Sequence, residues 1–187
     1  MNLLLLEPGE RELAAGDPRA RHLRKILRAG PGDRLRAGEV DGSLGIAHVL
    51  SSDRGAFHLS FEPTEPPPPL APVELLLGHP RPIVLRRLLR DLASIGPSSI
   101  VVTPTELGEK SYYESNLWDD VRTPLVEGAA QGGTTLLPAL TRAASLDDAL
   151  TALSSAAGRR FVLHAESAPG ESAPRGHSSM QSPHPVH

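Results

Sequence analysis

His22 to Asp33, HLRKILRAGPGD, joins a short cationic helix to a tight turn that leads into a strand. Arg24, Lys25 and Arg28 fall at helical spacing and can share a face, while Leu23, Ile26 and Leu27 are expected to turn toward a core. Pro31-Gly32 stops the helix and starts the turn. From Asp17 to Arg36 there are seven Lys/Arg and only two acids, on a chain whose formal net charge is -3. So compact a cationic face on a mildly acidic chain points to local attraction for a polyanion, RNA or DNA. The plainer alternative is a solvated helix face.

Working outward, residues 1–62 read as β-rich around that one helix, placed at 20–29. The strands are LLLL at the start, 33–37, 44–50 and 56–61. A small barrel is the natural way for such short strands to hide their edges. His48 and His58 lie in alternating strand patterns and read as surface or structural histidines. EPTEPPPPLAP, Glu62 to Pro72, then marks a boundary, because consecutive prolines favour a stiff extended spacer and supply no ladder donors. Residues 63–72 are taken as a linker across which few contacts should pass.

From Val73 the texture changes to alternating strands and helices, which implies a mainly parallel sheet. Strands are expected at 73–78, 99–103 and 160–164, helices at 82–95, about 115–131 and 146–156, and a short apolar segment at 135–140. Val84, Leu85, Leu88, Leu89, Leu92 and Ile95 would form the core stripe of the first helix, with Arg86, Arg87 and Arg90 on its other side. Ser145 and Asp148 read as a cap for the last helix. Residues 165–187, rich in Ser, Pro and Ala, cannot bury enough surface to offset their ordering entropy and are expected to be a disordered tail.

With 187 residues, 39% of them hydrophobic, the chain can build a core as an α+β protein of two domains. Six aromatics are too few for a broad base-stacking platform, so backbone and groove contacts are expected. The absence of Cys excludes a disulfide framework, a thiolate metal site and a thiol nucleophile. The histidines of 165–187 lack metal-ligand spacing, and no metal is expected. MNLLLLEPGE has no basic leader region and only four leucines before Glu7, so it reads as a first strand. The default location is the cytoplasm, with no membrane partner.

A helix of the form H-x-x-x-hydrophobic-Leu-Arg, the Gly-Pro-Gly-Asp turn and the acidic-Gly strand pair at Glu39, Asp41 and Gly42 resemble the N-terminal domain of the RsmE group. These are bacterial 16S ribosomal RNA uracil-N3 methyltransferases of the SPOUT, or α/β-knot, superfamily. The resemblance continues through VELLLGHPRP, SIVVTPTE and EGAAQGG and covers roughly residues 1–164. It implies a PUA-like RNA-binding domain at 1–62 and an incomplete SPOUT domain at 73–164. It also implies S-adenosylmethionine as cofactor, 16S rRNA in the small ribosomal subunit as partner, and a homodimer.

Carried over by that resemblance, His22 and Arg28 match family positions, and with Arg24 and Lys25 they are the expected RNA contacts. His79 and Arg81, just past a strand's carboxyl end, are candidate substrate contacts because α/β proteins bind ligands there. Glu127, Gln131 and Gly133 match the family's helix-end pattern in part, with Ala130 replacing an acid and Thr134 an Arg. Glu127 and Gln131 are therefore further substrate candidates. Tyr112, Tyr113 and Trp118 are expected in the core or at a dimer contact, with stacking on a base as the alternative. The family's Gly-Pro-Glu-Gly-Gly turn and its later donor-binding segment are not found. The expectation is therefore a chain that lacks the knot through truncation, a shifted reading frame or a degenerated copy, with no cofactor-binding residues of its own, doubtful activity and an unknown catalytic residue. Two further readings stay open: a non-catalytic RNA-binding remnant, and a small-molecule α/β enzyme acting on a phosphorylated substrate.

Overall fold

In the leucine run, Leu4 and Leu6 enter one core and Leu3 and Leu5 enter another, so strand β1 (Leu4–Leu6) is buried on both faces. A continuous apolar run, not an alternating one, is what a doubly covered strand requires. The computed structural model describes residues 2–106, 108–153 and 161. Those through Leu153 belong to one compact unit.

The first half contains β2 (Glu12–Leu13), α1 (Pro18–His22), β3 (Arg34–Glu39), β4 (Leu44–Asp53) and β5 (Ala56–Glu65). With β1 they form a five-stranded sheet in the order β1-β3-β4-β5-β2. β1 runs parallel to β3 and the other pairings are antiparallel. Strands β1 and β2, at the two ends of that order, are not paired with each other, so the expected closed barrel is not found. Leu13, Leu23, Val49, Phe57 and Leu59 fill the core of this sheet beneath α1.

The second half has β6 (Ala71–Gly78), α2 (Pro82–Ile95), β7 (Pro97–Thr103), α3 (Lys110–Tyr113), a 3-10 turn at Asn116–Asp120, α4 (Arg122–Gly132), β8 (Ala139–Arg142) and α5 (Leu146–Ala152). Its sheet is parallel, in the order β6-β7-β8. Ile100 and Val102 of β7 pack with Leu85, Leu89 and Leu125 of α2 and α4, whereas Val101 faces Ala149 of α5. Pro82 in the first turn of α2 and left-handed Gly96 at its end delimit that helix. Ser145 caps α5 by accepting from the Asp148 amide at 3.1 Å, as expected.

Several expectations need correction. The helix expected at about 115–131 is divided into the 3-10 turn and α4. Ile95, expected in the core stripe, is 73% exposed, because the buried positions run Leu85, Leu89, Ala93 and leave residue 95 off that line. The linker is shorter than 63–72: Pro63 and Glu65 pair with Gly45 and Leu44, and Ala71 pairs with Pro97, leaving 66–70 between the strands. Pro63 is tolerated because β2 covers β5 only at Phe57 and His58, so its other edge needs no donor there. The strand expected at 160–164 and the tail at 165–187 lie outside the described residues, apart from Phe161.

The halves are also more tightly joined than a spacer implies. Leu3, Leu5, Val40 and Leu44 pack against Ala129 and Ala130 of α4. Thr135, fully buried, donates to the Gly42 carbonyl at 2.6 Å, and its own carbonyl accepts from Asp41 at 2.9 Å. The Leu3 amide donates to the Ala130 carbonyl at 3.1 Å, and Arg122 makes a two-pronged ion pair with Glu7. The Arg122 hydrogen bond outweighs partial burial and holds the Glu7 carboxyl below the usual carboxylate range.

Candidate nucleic-acid interface

Asp17 opens α1 by accepting from the Arg19 amide at 2.7 Å, and Pro18 supplies a preset first turn. The helix then widens into a π turn over Leu23–Leu27 and stops at Arg28, which adopts a left-handed conformation with φ 53°. The Arg28 and Ala29 amides both close onto the Leu23 carbonyl, which completes the stop. This wider turn changes which residues face inward. Leu23 is fully buried, but Ile26 and Leu27, expected in the core, are 67% and 49% exposed.

The seven cations of this stretch are not equivalent. Arg19 donates to Asp17, to both Glu10 oxygens and to the Leu5 carbonyl, so it anchors α1 to β1 and its charge is consumed. Burial alone would weaken that guanidinium's hold on its proton, but Asp17 and Glu10 outweigh it. The Asp17 carboxyl, pushed up by burial, is pulled below its ordinary value by Arg19. Arg24, Lys25 and Arg28 are exposed and form no ion pair among the described residues. Arg24 alone is tethered, donating to the Gly55 carbonyl at 3.2 Å in the turn between β4 and β5.

His22, Glu127 and Gln131 converge on one groove of about 550 Å³ between α1 and the α2–α4 pair. Leu5, Val126 and Ala130 line it with apolar surface, and Arg19, Arg90 and Asp91 complete its polar edge. Helices α2 and α4 approach closely because Gly128 and Gly132 face α2: a Cβ on Gly128 would strike the Arg90 carbonyl, and one on Gly132 the Ser94 carbonyl. Glu127 and Gln131 occupy the neighbouring stripe of α4, one turn apart. Sequence reading missed Arg90 as part of this surface. Its only signal was its place among the outward arginines of α2.

His79 and Arg81 lie at the carboxyl edge of the parallel sheet. Arg81 is exposed at the start of α2, while His79 is only 6% exposed. His79 Nδ1 sits 2.6 Å from the Pro80 carbonyl, which fits donation to that oxygen and leaves Nε2 as an acceptor. Burial, assisted by the nearby Arg142 charge, lowers the His79 pKa against the opposing pull of the Pro80 carbonyl, so the ring is neutral near pH 7. Tyr113 and Trp118 pack on His79 with centroids 5.8 and 5.7 Å away. The Arg142 guanidinium lies 3.9 Å from the Tyr113 ring centroid and 5.1 Å from that of Trp118. His79 Nε2, Thr103 Oγ1, Ser115 Oγ and Trp118 Nε1 are buried without hydrogen-bond partners among the described residues. A pocket of about 340 Å³ opens beside His79, bordered by Glu106, Glu109, Lys110, Tyr113 and Glu114. Thr103 and Arg142 were not singled out from sequence; their positions at strand ends were the available signal.

Fold and surfaces together define an α/β protein whose parallel-sheet half is joined to a β module bearing cations that have no carboxylate partner among the described residues, an arrangement suited to an anionic polymer. Residues 66–180 match the model of the RNA methyltransferase domain family, and the chain belongs to that family. The match continues past His164 and takes in most of the stretch expected to be tail. The Ribosomal RNA small subunit methyltransferase E of Treponema pallidum is 38% identical over 149 residues, which cover 75% of this chain and 56% of that protein. The Ribosomal RNA small subunit methyltransferase E 1 of Borreliella burgdorferi is 34% identical over 155 residues, 80% of this chain and 65% of that protein. The chain thus spans between half and two thirds of these relatives' length. A methyltransferase from Legionella pneumophila, solved with its bound cofactor SAM, shares the fold at TM-score 0.60 and 14% identity, over 82% of this chain and 66% of that one.

Proposed function

We propose that this chain acts in methylation of small-subunit ribosomal RNA, with S-adenosylmethionine as donor and N3 of a uridine in 16S rRNA as acceptor. Family membership and the two relatives' names support the reaction class. The observation that carries the RNA part is the unpaired cationic turn of Arg24, Lys25 and Arg28 beside the groove holding His22. In this reading the antiparallel half is a PUA-like RNA-holding module, and the parallel half lies against the target. His79, Arg81, Glu127 and Gln131 are the substrate contacts. The chain works in the cytoplasm and pairs with a second copy. Among the described residues no helix is long and apolar enough to cross a membrane.

The pocket beside His79 does not fit the donor, S-adenosylmethionine. Its adenine needs a free apolar or aromatic face, but Arg142 covers Tyr113 and the Trp118 ring is packed against His79. The carboxylates of Glu106, Glu109 and Glu114 around the pocket would also confront the donor's own carboxylate. No step is therefore assigned through the donor. This misfit favours a second reading, RNA binding without methyl transfer.

One pair of measurements separates the readings: salt-dependent binding of the full chain to 16S rRNA, and nucleoside mass spectrometry of that RNA after incubation with S-adenosylmethionine. Binding with enzyme-dependent N3-methyluridine supports the transferase. Binding without methylation, and without heat on donor titration, supports the second reading. Absence of salt-dependent RNA binding refutes both.

A further inference from the structure

We propose that the groove between α1 and the α2–α4 pair takes one unpaired guanine of the bound RNA. This rests on the RNA reading above and adds the base that the surface selects. The groove's volume, about 550 Å³, lies within the ordinary range of small-ligand sites. Val126, backed by the largely buried Leu5 and Ala130, offers apolar surface to the face of a base.

The polar groups discriminate between parts of a nucleotide. Asp91 is paired with Arg90 at 3.3 Å and Arg19 with Glu10 and Asp17, which leaves the Glu127 carboxylate as the charge in this lining without a partner among the described residues, and it disfavours a phosphate there. A base edge rich in donors is not disfavoured. The side chains of Glu127 and Gln131 project from successive turns of α4 and make no hydrogen bond among the described residues; the Gln131 backbone carbonyl, not its side chain, accepts from Asn2. A carboxylate accepts only, so Glu127 suits the adjacent N1–H and N2–H₂ donors of guanine, and the Gln131 amide can donate to O6. Adenine instead brings its N1 lone pair toward the carboxylate. Inosine keeps N1–H and O6 but lacks the N2 amino group. Outside the groove, the exposed Arg24, Lys25 and Arg28 of the turn that follows α1 lie where the flanking phosphates would run.

The test uses fluorescence anisotropy of the full chain with short uridine-rich RNA strands carrying one central guanosine, inosine or adenosine. The guanosine strand is expected to bind best, the adenosine strand about tenfold more weakly and the inosine strand between them. Glu127→Gln should bring the guanosine and inosine strands together and narrow their lead over the adenosine strand, without changing the melting temperature, since Glu127 is exposed. Equal binding of all three strands by the native chain overturns the guanine pocket while leaving RNA binding intact. A guanosine-over-inosine preference that survives undiminished in Glu127→Gln does the same. Failure of a natively melting chain to bind any strand in a salt-dependent way removes the RNA reading, and this inference with it.

Discussion

Replacing Arg24, Lys25 and Arg28 together with Ala isolates the cationic turn from the rest of the charge on α1. Arg19, on the same helix, is held by Glu10 and Asp17 and contributes little to an external anion. The three substituted residues have no carboxylate partner among the described residues, so each can displace a counterion from RNA. Each phosphate contact contributes about 0.7 to the slope of log affinity against log salt for single strands and about 0.9 for duplex. Three contacts give a slope change of roughly 2 to 3. Raising salt from 50 to 200 mM should therefore cost the native chain roughly 20- to 40-fold more affinity than the variant. Anisotropy titrations with a small-subunit RNA fragment at several salt concentrations measure that slope. Only the Arg24 bond to the Gly55 carbonyl is lost within the fold, so the melting curve should move little. A variant with native affinity and native slope would refute this surface as the RNA contact.

Arg28→Gly relieves a left-handed conformation that costs a side-chain-bearing residue about 1 kcal/mol, so the variant should melt no lower than the native chain while binding RNA more weakly. Gly128→Ala should destabilise by roughly 1 to 2 kcal/mol in urea unfolding, because overpacking against Arg90 and Ala93 exceeds the gain of about 1 kcal/mol in helix propensity; a gain in stability would show that α2 yields freely. His79 is held neutral with its pKa below the usual 6.5, so the unfolded chain takes up this proton first as pH falls. The stability is therefore present above about pH 6.5 and is lost below it, and His79→Gln should flatten the stability profile there; an unchanged profile would count against a buried neutral ring. A protease site built between Pro68 and Pro69 should, once cut, leave the halves co-eluting on gel filtration, since Thr135, Arg122 and the Leu3–Ala130 contact still join them.

Much of the fold was legible because local signals agreed with tertiary packing. Pro82 and Gly96 bracket α2 within the expected 82–95, and Ser145 caps α5. The hidden parts depend on events at a distance. Nothing local marks Leu4 and Leu6 as facing one core and Leu3 and Leu5 another, so the leucine run could be read as a strand but not as the shared strand of two cores. Pro63 continues β5 only because β2 is too short to cover that edge. Ile26 and Leu27 have the spacing of a buried stripe in an α-helix, but the π turn rotates them out, and the closure on Leu23 that sets this turn involves backbone groups that side-chain pattern does not encode.

The site shows the same division, and EGAAQGG explains why. Gly128 and Gly132 form one stripe of α4 and Glu127 and Gln131 the next, so a single helix both sets its distance from α2 and presents polar groups to the groove. The close approach at Gly128 is made to Arg90, the residue that also stands at the groove's edge. A bulkier residue there would push that edge away from Glu127 even though it touches no ligand. The glycines thus set where Glu127 and Gln131 stand in the groove, which is a role their sequence spacing permits but cannot assign without the facing helix.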